Sequence, residues 1–342
     1  MMEFKDLRDL TLAVARADAS KPTAYSFGEK SYSYSDLQNT LRAELNELAG
    51  DFNSYRRNQI VLFQLMEEAI DEVLPKMVMD RYMDFADVKT FRQGSKAVFT
   101  QPIGRNRAKK NFVTRVGLAG IYEVFKLDKS VIEVQMTAVG GAAQVGLEEF
   151  LDGNVDFSEM FNIILEGMDE AIYAEVAKAL EAMVANFNAN NKVVTAGFNE
   201  AKFDQLIATA ESYGPATIYC TFEFAATMIP SDARMSDTHK NELWSTGYIG
   251  NYKGHRVVVL PQSVTEDNAE KIVDPAWAYI FPGGTKPVKL AFEGQTVIDE
   301  FKNADRSRDI HAYKKFGVAT FATNAMAAYK NTSLVKDNTI AG

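Results

Sequence analysis

Residues Val88–Tyr122 read VKTFRQGSKAVFTQPIGRNRAKKNFVTRVGLAGIY, and the reading of the whole chain turns on them. The stretch contains no Asp or Glu, while Lys89, Arg92, Lys96, Arg105, Arg107, Lys109, Lys110 and Arg115 supply eight positive charges. Its flanks alternate with the two-residue period of strands, at Ala97-Val98-Phe99-Thr100 and at Phe112-Val113-Thr114-Arg115-Val116. Between them Gln101-Pro102-Ile103-Gly104-Arg105-Asn106-Arg107 supplies turn residues. The pattern predicts a long two-stranded finger with a basic tip. An isolated hairpin is marginally stable in water, so such a finger needs a surface to lie on.

A block of opposite sign follows. From Glu148 to Glu181 the acids are Glu148, Glu149, Asp152, Asp156, Glu159, Glu166, Asp169, Glu170, Glu175 and Glu181, ten against the single base Lys178. Asp156 with Glu159 three residues on has the form of a capping box. Phe157, Phe161, Ile164, Met168, Ile172, Val176, Leu180, Val184 and Phe187 then recur at three- and four-residue spacing, predicting a helix over 156–187. At 1.5 Å per residue that is roughly 45 Å, apolar on one face and acidic on the other. Glu148-Glu149 could serve acid/base chemistry or a hard metal, but the acids continue at intervals and do not converge with His or Asn, which fits a solvated or partner-facing surface. The basic finger as a nucleic-acid reader is the lesser reading, since Phe91, Phe99, Phe112 and Tyr122 fit strand packing as well as base stacking. The economical account joins the two blocks between subunits: the eight bases named above against Glu148, Glu149, Asp152, Asp156, Glu159, Glu166, Asp169 and Glu170. Complementary but non-overlapping surfaces on one chain make heterologous contacts, which close into rings or shells.

The remaining sequence supplies the body. Residues 1–55 read as two short helices around a polar break at Asp18–Pro22, the second through Leu37, Leu41, Leu45 and Leu48, capped at Ser35. They are expected to pack as an arm on something else more than to stand as a small helical subdomain. Ile60, Phe63, Leu65, Ile70, Val73, Leu74 and Met77 predict a helix over 56–80, bent at Pro75. Residues 191–284 look like a compact α/β unit containing the runs 216–222 and 256–260, with further strands at 277–281, 286–292 and 317–322. The tail beyond Tyr329 is short and polar and is expected to be mobile.

Composition bounds the function. The chain has 342 residues and a formal net charge of −9, which argues against a protein that coats nucleic acid with its whole surface. With 46% hydrophobic and 24% charged residues it can bury a core, and its length suggests about two domains. The single cysteine, Cys220, sits in an apolar run and reads as a core residue in a reducing compartment. His239, His255 and His311 are far apart with no Cys near them, so no zinc spacing can be drawn. No Gly-x-Gly-x-x-Gly or phosphate loop exists; Gly283-Gly284-Thr285-Lys286 reads as a turn between strands. Neither Gly-x-Ser-x-Gly nor a recognisable Cys/His pair appears. No catalytic, cofactor-binding or metal residues are therefore assigned. The N-terminus lacks a signal-peptide core, and no stretch approaches the about 18 apolar residues of a membrane helix.

The order of parts resembles the major capsid proteins of tailed double-stranded DNA bacteriophages, the Hong Kong 97-like fold. The most specific stretches are 247–259, from Gly247-Tyr248-Ile249-Gly250 through Asn251-Tyr252-Lys253-Gly254 to Val257-Val258-Val259, then Pro287-Val288-Lys289-Leu290-Ala291-Phe292-Glu293-Gly294, and Gly317-Val318-Ala319. The resemblance implies an α+β fold with an N-terminal arm (1–55), an extended loop (87–135), a peripheral domain (56–86, 136–190 and 285–330) carrying a spine helix at about 156–187, an axial domain (191–284) and a tail (331–342). It implies a non-enzymatic subunit, without cofactor, that self-assembles as pentamers and hexamers into an icosahedral shell around double-stranded DNA, which it contacts without sequence specificity. It further implies a separate scaffolding protein and a portal as partners, no membrane partner, synthesis in the host bacterial cytoplasm and residence in the virion. Some members cross-link a loop lysine to a neighbour's asparagine; Lys109 and Lys110 are nominal candidates, but no matching asparagine or glutamate is found. Encapsulin shells share the fold and are the alternative. A cytoplasmic α/β enzyme with its site in 191–284 is the rival from another class.

Overall fold

A computed structural model describes residues 4–16, 25–27, 30–102, 129–145, 157–229, 247–248, 250–265, 267–304 and 307–338. The chain divides into two compact units, one of 1–97, 134–173 and 290–318, the other of 98–133, 174–289 and 319–342.

The first unit begins with α1 (Phe4–Arg16), the hairpin β1 (Tyr25–Phe27) and β2 (Lys30–Tyr32), α2 (Tyr34–Ala49) and α3 (Phe52–Tyr82). Leu7, Leu10 and Val14 of α1 and Leu37, Leu41, Leu45 and Leu48 of α2 are buried, and α1 and α2 pack on each other and on α3. The residues expected to form an arm on something else thus bury their leucines within their own chain, against one another and against α3. The cap of α2 is Ser33, not Ser35: its hydroxyl accepts from the amide of Asp36 at 3.2 Å while Asp36 accepts from the amide of Ser33 at 3.3 Å. Helix α3 runs through Pro75 to Tyr82, since burial of Leu74, Val78 and Tyr82 outweighs one lost backbone bond.

Next comes a four-stranded sheet in the order β3-β12-β13-β6, built from β3 (Ala86–Phe91), β6 (Thr137–Val145), β12 (Val288–Lys302) and β13 (Arg308–Thr320). Strands β6 and β13 are antiparallel with Tyr313 opposite Gly140 and Phe316 opposite Thr137. A Cβ on Gly141 would meet Ile164 at 3.5 Å, so helix α4 (Phe157–Val184) lies against β6 at ordinary van der Waals distance. An ion pair between the buried Lys314 of β13 and the half-buried Asp71 of α3 joins the sheet to that helix, and Asp71 also accepts from the amide and hydroxyl of Thr296 at 2.8 and 2.5 Å. Further along, Glu300 accepts from Tyr55 at 3.0 Å and pairs with Arg308, whose guanidinium lies 5.2 Å from the ring of Phe52.

The finger is paired at its base, β4 (Val98–Pro102) running antiparallel to β5 (Lys129–Glu133) with Val98 opposite Glu133. The sequence reading paired 97–100 with 112–116. Alternation identifies a strand but not its partner, and Ser130-Val131-Ile132 alternates as well as 112–116 does. Residues 103–128 lie outside the described residues.

The second unit is centred on a six-stranded sheet, order β7-β14-β11-β8-β10-β9, made of β7 (Lys192–Thr195), β8 (Ala216–Thr221), β9 (Asn251–Tyr252), β10 (His255–Leu260), β11 (Trp277–Pro282) and β14 (Ala327–Asn331). Its core takes Phe203, Leu206 and Ile207 from α5 (Glu200–Glu211) and Phe224 from α6 (Phe222–Thr227), together with Ile218, Cys220, Ile280 and Tyr329. Lys253 and Gly254, both at positive φ, form the two-residue turn between β9 and β10. The Gly283-Gly284 segment is the turn after β11, closed by Thr285 N to Pro282 O at 3.1 Å. Strand β14 sits between β7 and β11, a contribution to this sheet from outside 191–284. Residues past Tyr329 are also tied down: Lys271 N donates to Lys336 O at 3.0 Å and Asn338 N to Ala269 O at 2.8 Å.

Candidate functional site

The site to be sought is a pair of charged surfaces. Of the basic set, Lys89 on β3 and Arg92 and Lys96 in the turn after it are described, and all three are exposed. Lys89 lies 3.8 Å from Asp87 on the same strand. Arg105, Arg107, Lys109, Lys110 and Arg115 lie outside the described residues, as do Glu148, Glu149, Asp152 and Asp156. Glu159 falls in the first turn of α4.

Helix α4 separates its charges by angle. Glu166, Glu170, Glu175 and Glu181 are exposed, with Ile163 at 60% exposure beside them, while Ile164, Leu165, Met168, Ile172, Tyr173 and Val176 are buried. Asp169 does not share the acidic face on which the sequence reading placed it. It is 5% exposed and pairs with Arg81 at the end of α3. The reason is helical register: Asp169 lies four residues from both Leu165 and Tyr173, which face inward. Burial pushes the Asp169 carboxyl above its ordinary range, with Arg81 opposing. Tyr82 and Tyr173 stack beside the pair at 6.0 Å, and burial raises both phenols. The apolar neighbours four residues away were the signal for this burial; Arg81 had none, because its partner is 88 residues distant.

The root of the finger is held from two directions that sequence reasoning missed. Glu293 on β12 is buried and accepts from the amide of Gly94 at 2.7 Å, inside the turn where Ser95 N donates to Arg92 O at 3.0 Å. On the return side Val134 N donates to Ala97 O at 2.9 Å, and Ala97 and Val134 are both buried. In the second unit, Lys289 places its ammonium 5.7 Å from the ring of Phe99 and 5.5 Å from that of Phe321.

The enzyme reading would need converging reactive groups. Among the described residues no group of three or more His, Cys, Asp or Glu could hold a metal ion. Cys220 is fully buried and its thiol is pushed up to about 12 by burial, which disfavours the thiolate a nucleophile needs. Asp204 on α5 accepts from the buried Tyr252 at 3.0 Å and pairs with Lys253 at 2.5 Å, which braces the β9–β10 hairpin against the helix. No helix among the described residues is long and apolar enough to cross a membrane.

A family model described as "SPbeta prophage-derived putative capsid protein YonB" matches residues 6–330. No curated protein matches the chain. Among solved structures, a phage-related protein from Bordetella bronchiseptica is 13% identical, with 80% of this chain and 98% of that one covered at a TM-score of 0.52. The mature capsid of bacteriophage PhiM1 is 12% identical, covering 74% of this chain and 87% of that one at 0.47. The SrpI encapsulin of Synechococcus elongatus is also 12% identical, covering 75% and 87% at 0.44.

Proposed function

The chain belongs to the YonB capsid-protein family and is a structural shell subunit of α+β, Hong Kong 97-like fold; we propose that its copies close as pentamers and hexamers into an icosahedral capsid around double-stranded DNA. The family match across residues 6–330 carries this reading and favours a viral capsid over an encapsulin. The subunit works without catalysis or cofactor. The unit built on the six-stranded sheet takes the axial role, the unit carrying α3 and the first part of α4 the peripheral one. A separate scaffolding protein and a portal complete the particle. The chain is made in the bacterial cytoplasm, resides in the virion, and meets packaged DNA without reading its sequence.

In assembly the basic finger of one subunit lies along the acidic face of another, Arg105, Arg107, Lys109, Lys110 and Arg115 against Glu166 and Glu170 and the acids before α4. Charge of this kind sets register and partner choice more than affinity, which comes from apolar burial at about 25 cal/mol per Å². Asp169 is left out of this contact, since Arg81 already occupies it.

Negative-stain microscopy of the purified chain, alone and with its scaffolding partner, tests the reading. Closed particles of uniform size are expected; subunits that stay monomeric under both conditions would overturn it. The Arg105→Glu/Arg107→Glu variant should fold and fail to close shells. Normal shells from that variant would sink the charge pairing while leaving the shell function standing.

A further inference from the structure

Two consecutive residues of β12 each accommodate the turn through which the chain enters the finger. Glu293 holds the amide of Gly94 at 2.7 Å, with Lys315 of β13 at 4.0 Å from the same carboxylate oxygen. Gly294, at φ +69°, lies so close that an added Cβ would stand 3.3 Å from the Cβ of Gln93. A charged acceptor buried on a backbone N–H, beside a glycine whose missing side chain admits the same turn, is a matched pair.

The return strand is seated in the same way one strand over. A Cβ on Gly317 of β13 would fall 2.3 Å from the carbonyl oxygen of Gln135 and 2.7 Å from Val134 Cγ1, so only glycine lets β13 pass there. The outgoing chain at 93–94 and the returning chain at 134–135 thus meet neighbouring strands at three positions. All three fall in Pro287–Gly294 and Gly317–Ala319, two of the stretches on which the family resemblance rests.

We infer that Glu293, Gly294 and Gly317 form a seat for the root of the finger, fixing where the chain leaves the first unit at 93–94 and re-enters it at 134–135, and that assembly requires this seat. The inference rests on the shell reading only for its last clause. Glu293 is a positioning residue: it acts on the finger through the Gly94 turn.

Hydrogen exchange and assembly of the full chain test this together. In Glu293→Ala the Gly94 amide should exchange about tenfold faster or more, the usual worth of a hydrogen bond to a charged group. Amides of the second unit's sheet should be unmoved, and shells should be irregular or open. Glu293→Gln keeps an acceptor and should restore closed shells and bring exchange at Gly94 to within about threefold of the parent. Gly294→Ala, which strains φ and crowds Gln93 from the other side, should reproduce the assembly defect if Glu293→Ala fails to fold. Unchanged exchange at Gly94, or shells from Glu293→Ala identical to the parent's, would overturn the seat. If the parent itself closes no shell, the proposed function falls, and exchange at Gly94 still decides the seat.

Discussion

Replacing Asp71 by Ala should be among the costly polar truncations in the first unit, because of what it leaves behind. The Lys314 side chain is 3% exposed and pairs with Asp71, and its ammonium lies 6.0 Å from the ring of Phe292. Removing the carboxylate strands a buried ammonium and takes an acceptor from both the amide and the hydroxyl of Thr296. Breaking a buried pair from one side costs about 3–5 kcal/mol, against about 5–15 kcal/mol for the whole stability of a typical domain. The site is also a weak point of α3: Pro75 has no N–H to offer the Asp71 carbonyl four residues back, so the side-chain clasp steadies a turn already missing a bond. At about 2–4 °C per kcal/mol the midpoint of the unassembled subunit should fall by roughly 6–20 °C in a thermal melt. The double variant Asp71→Ala/Lys314→Met should recover the part of that loss due to the stranded ammonium, since Met fills the Lys314 site without a charge, while Thr296 still lacks its acceptor. A loss below about 1 kcal/mol, or a double variant no better than the single, would refute the argument.

Other outcomes follow from the same geometry. Asp169→Asn probes a carboxyl whose burial raises its folded pKa above the unfolded one. Such a group weakens the fold as pH climbs through and above its titration, so the stability of the Asn variant relative to the parent should improve from acid to neutral pH in urea melts; a difference that moves the other way rejects the assignment. Gly317→Ala places a Cβ against the Gln135 carbonyl and should cost about 1–3 kcal/mol by overpacking, with faster exchange at the Val134 amide; a neutral variant would show that β13 shifts freely. Cys220, fully buried with its thiol pushed up to about 12, should resist a thiol reagent in the native subunit and react on unfolding. Rapid native labelling would contradict the core placement.

Much of the helical framework was legible from spacing. The helix predicted over 156–187 is observed as Phe157–Val184 and that predicted over 56–80 as Phe52–Tyr82, because i, i+3 and i+4 neighbours within one segment determine both. Strands were legible as strands but not as partners. The residues 98–100 found their mate at 131–133, and 327–331 entered a sheet built otherwise from 192–282. Pairing register answers to the whole sheet, and several segments of this chain alternate equally well.

Composition and order alone determined the segregation of charge: an acid-free stretch of eight bases, then ten acids about a long amphipathic helix, inside a chain of net −9. The resemblance to the phage capsid proteins rested in part on Pro287–Gly294 and Gly317-Val318-Ala319. Which charges stay on the surface, and what those glycines accommodate, was decided only by tertiary structure. Asp169 leaves the acidic face for Arg81 across 88 positions, and Glu293 reaches Gly94 across 199. Periodicity reports on residues three or four apart; burial and backbone approach depend on which distant strand or helix arrives, and that is settled by the packing of the whole unit.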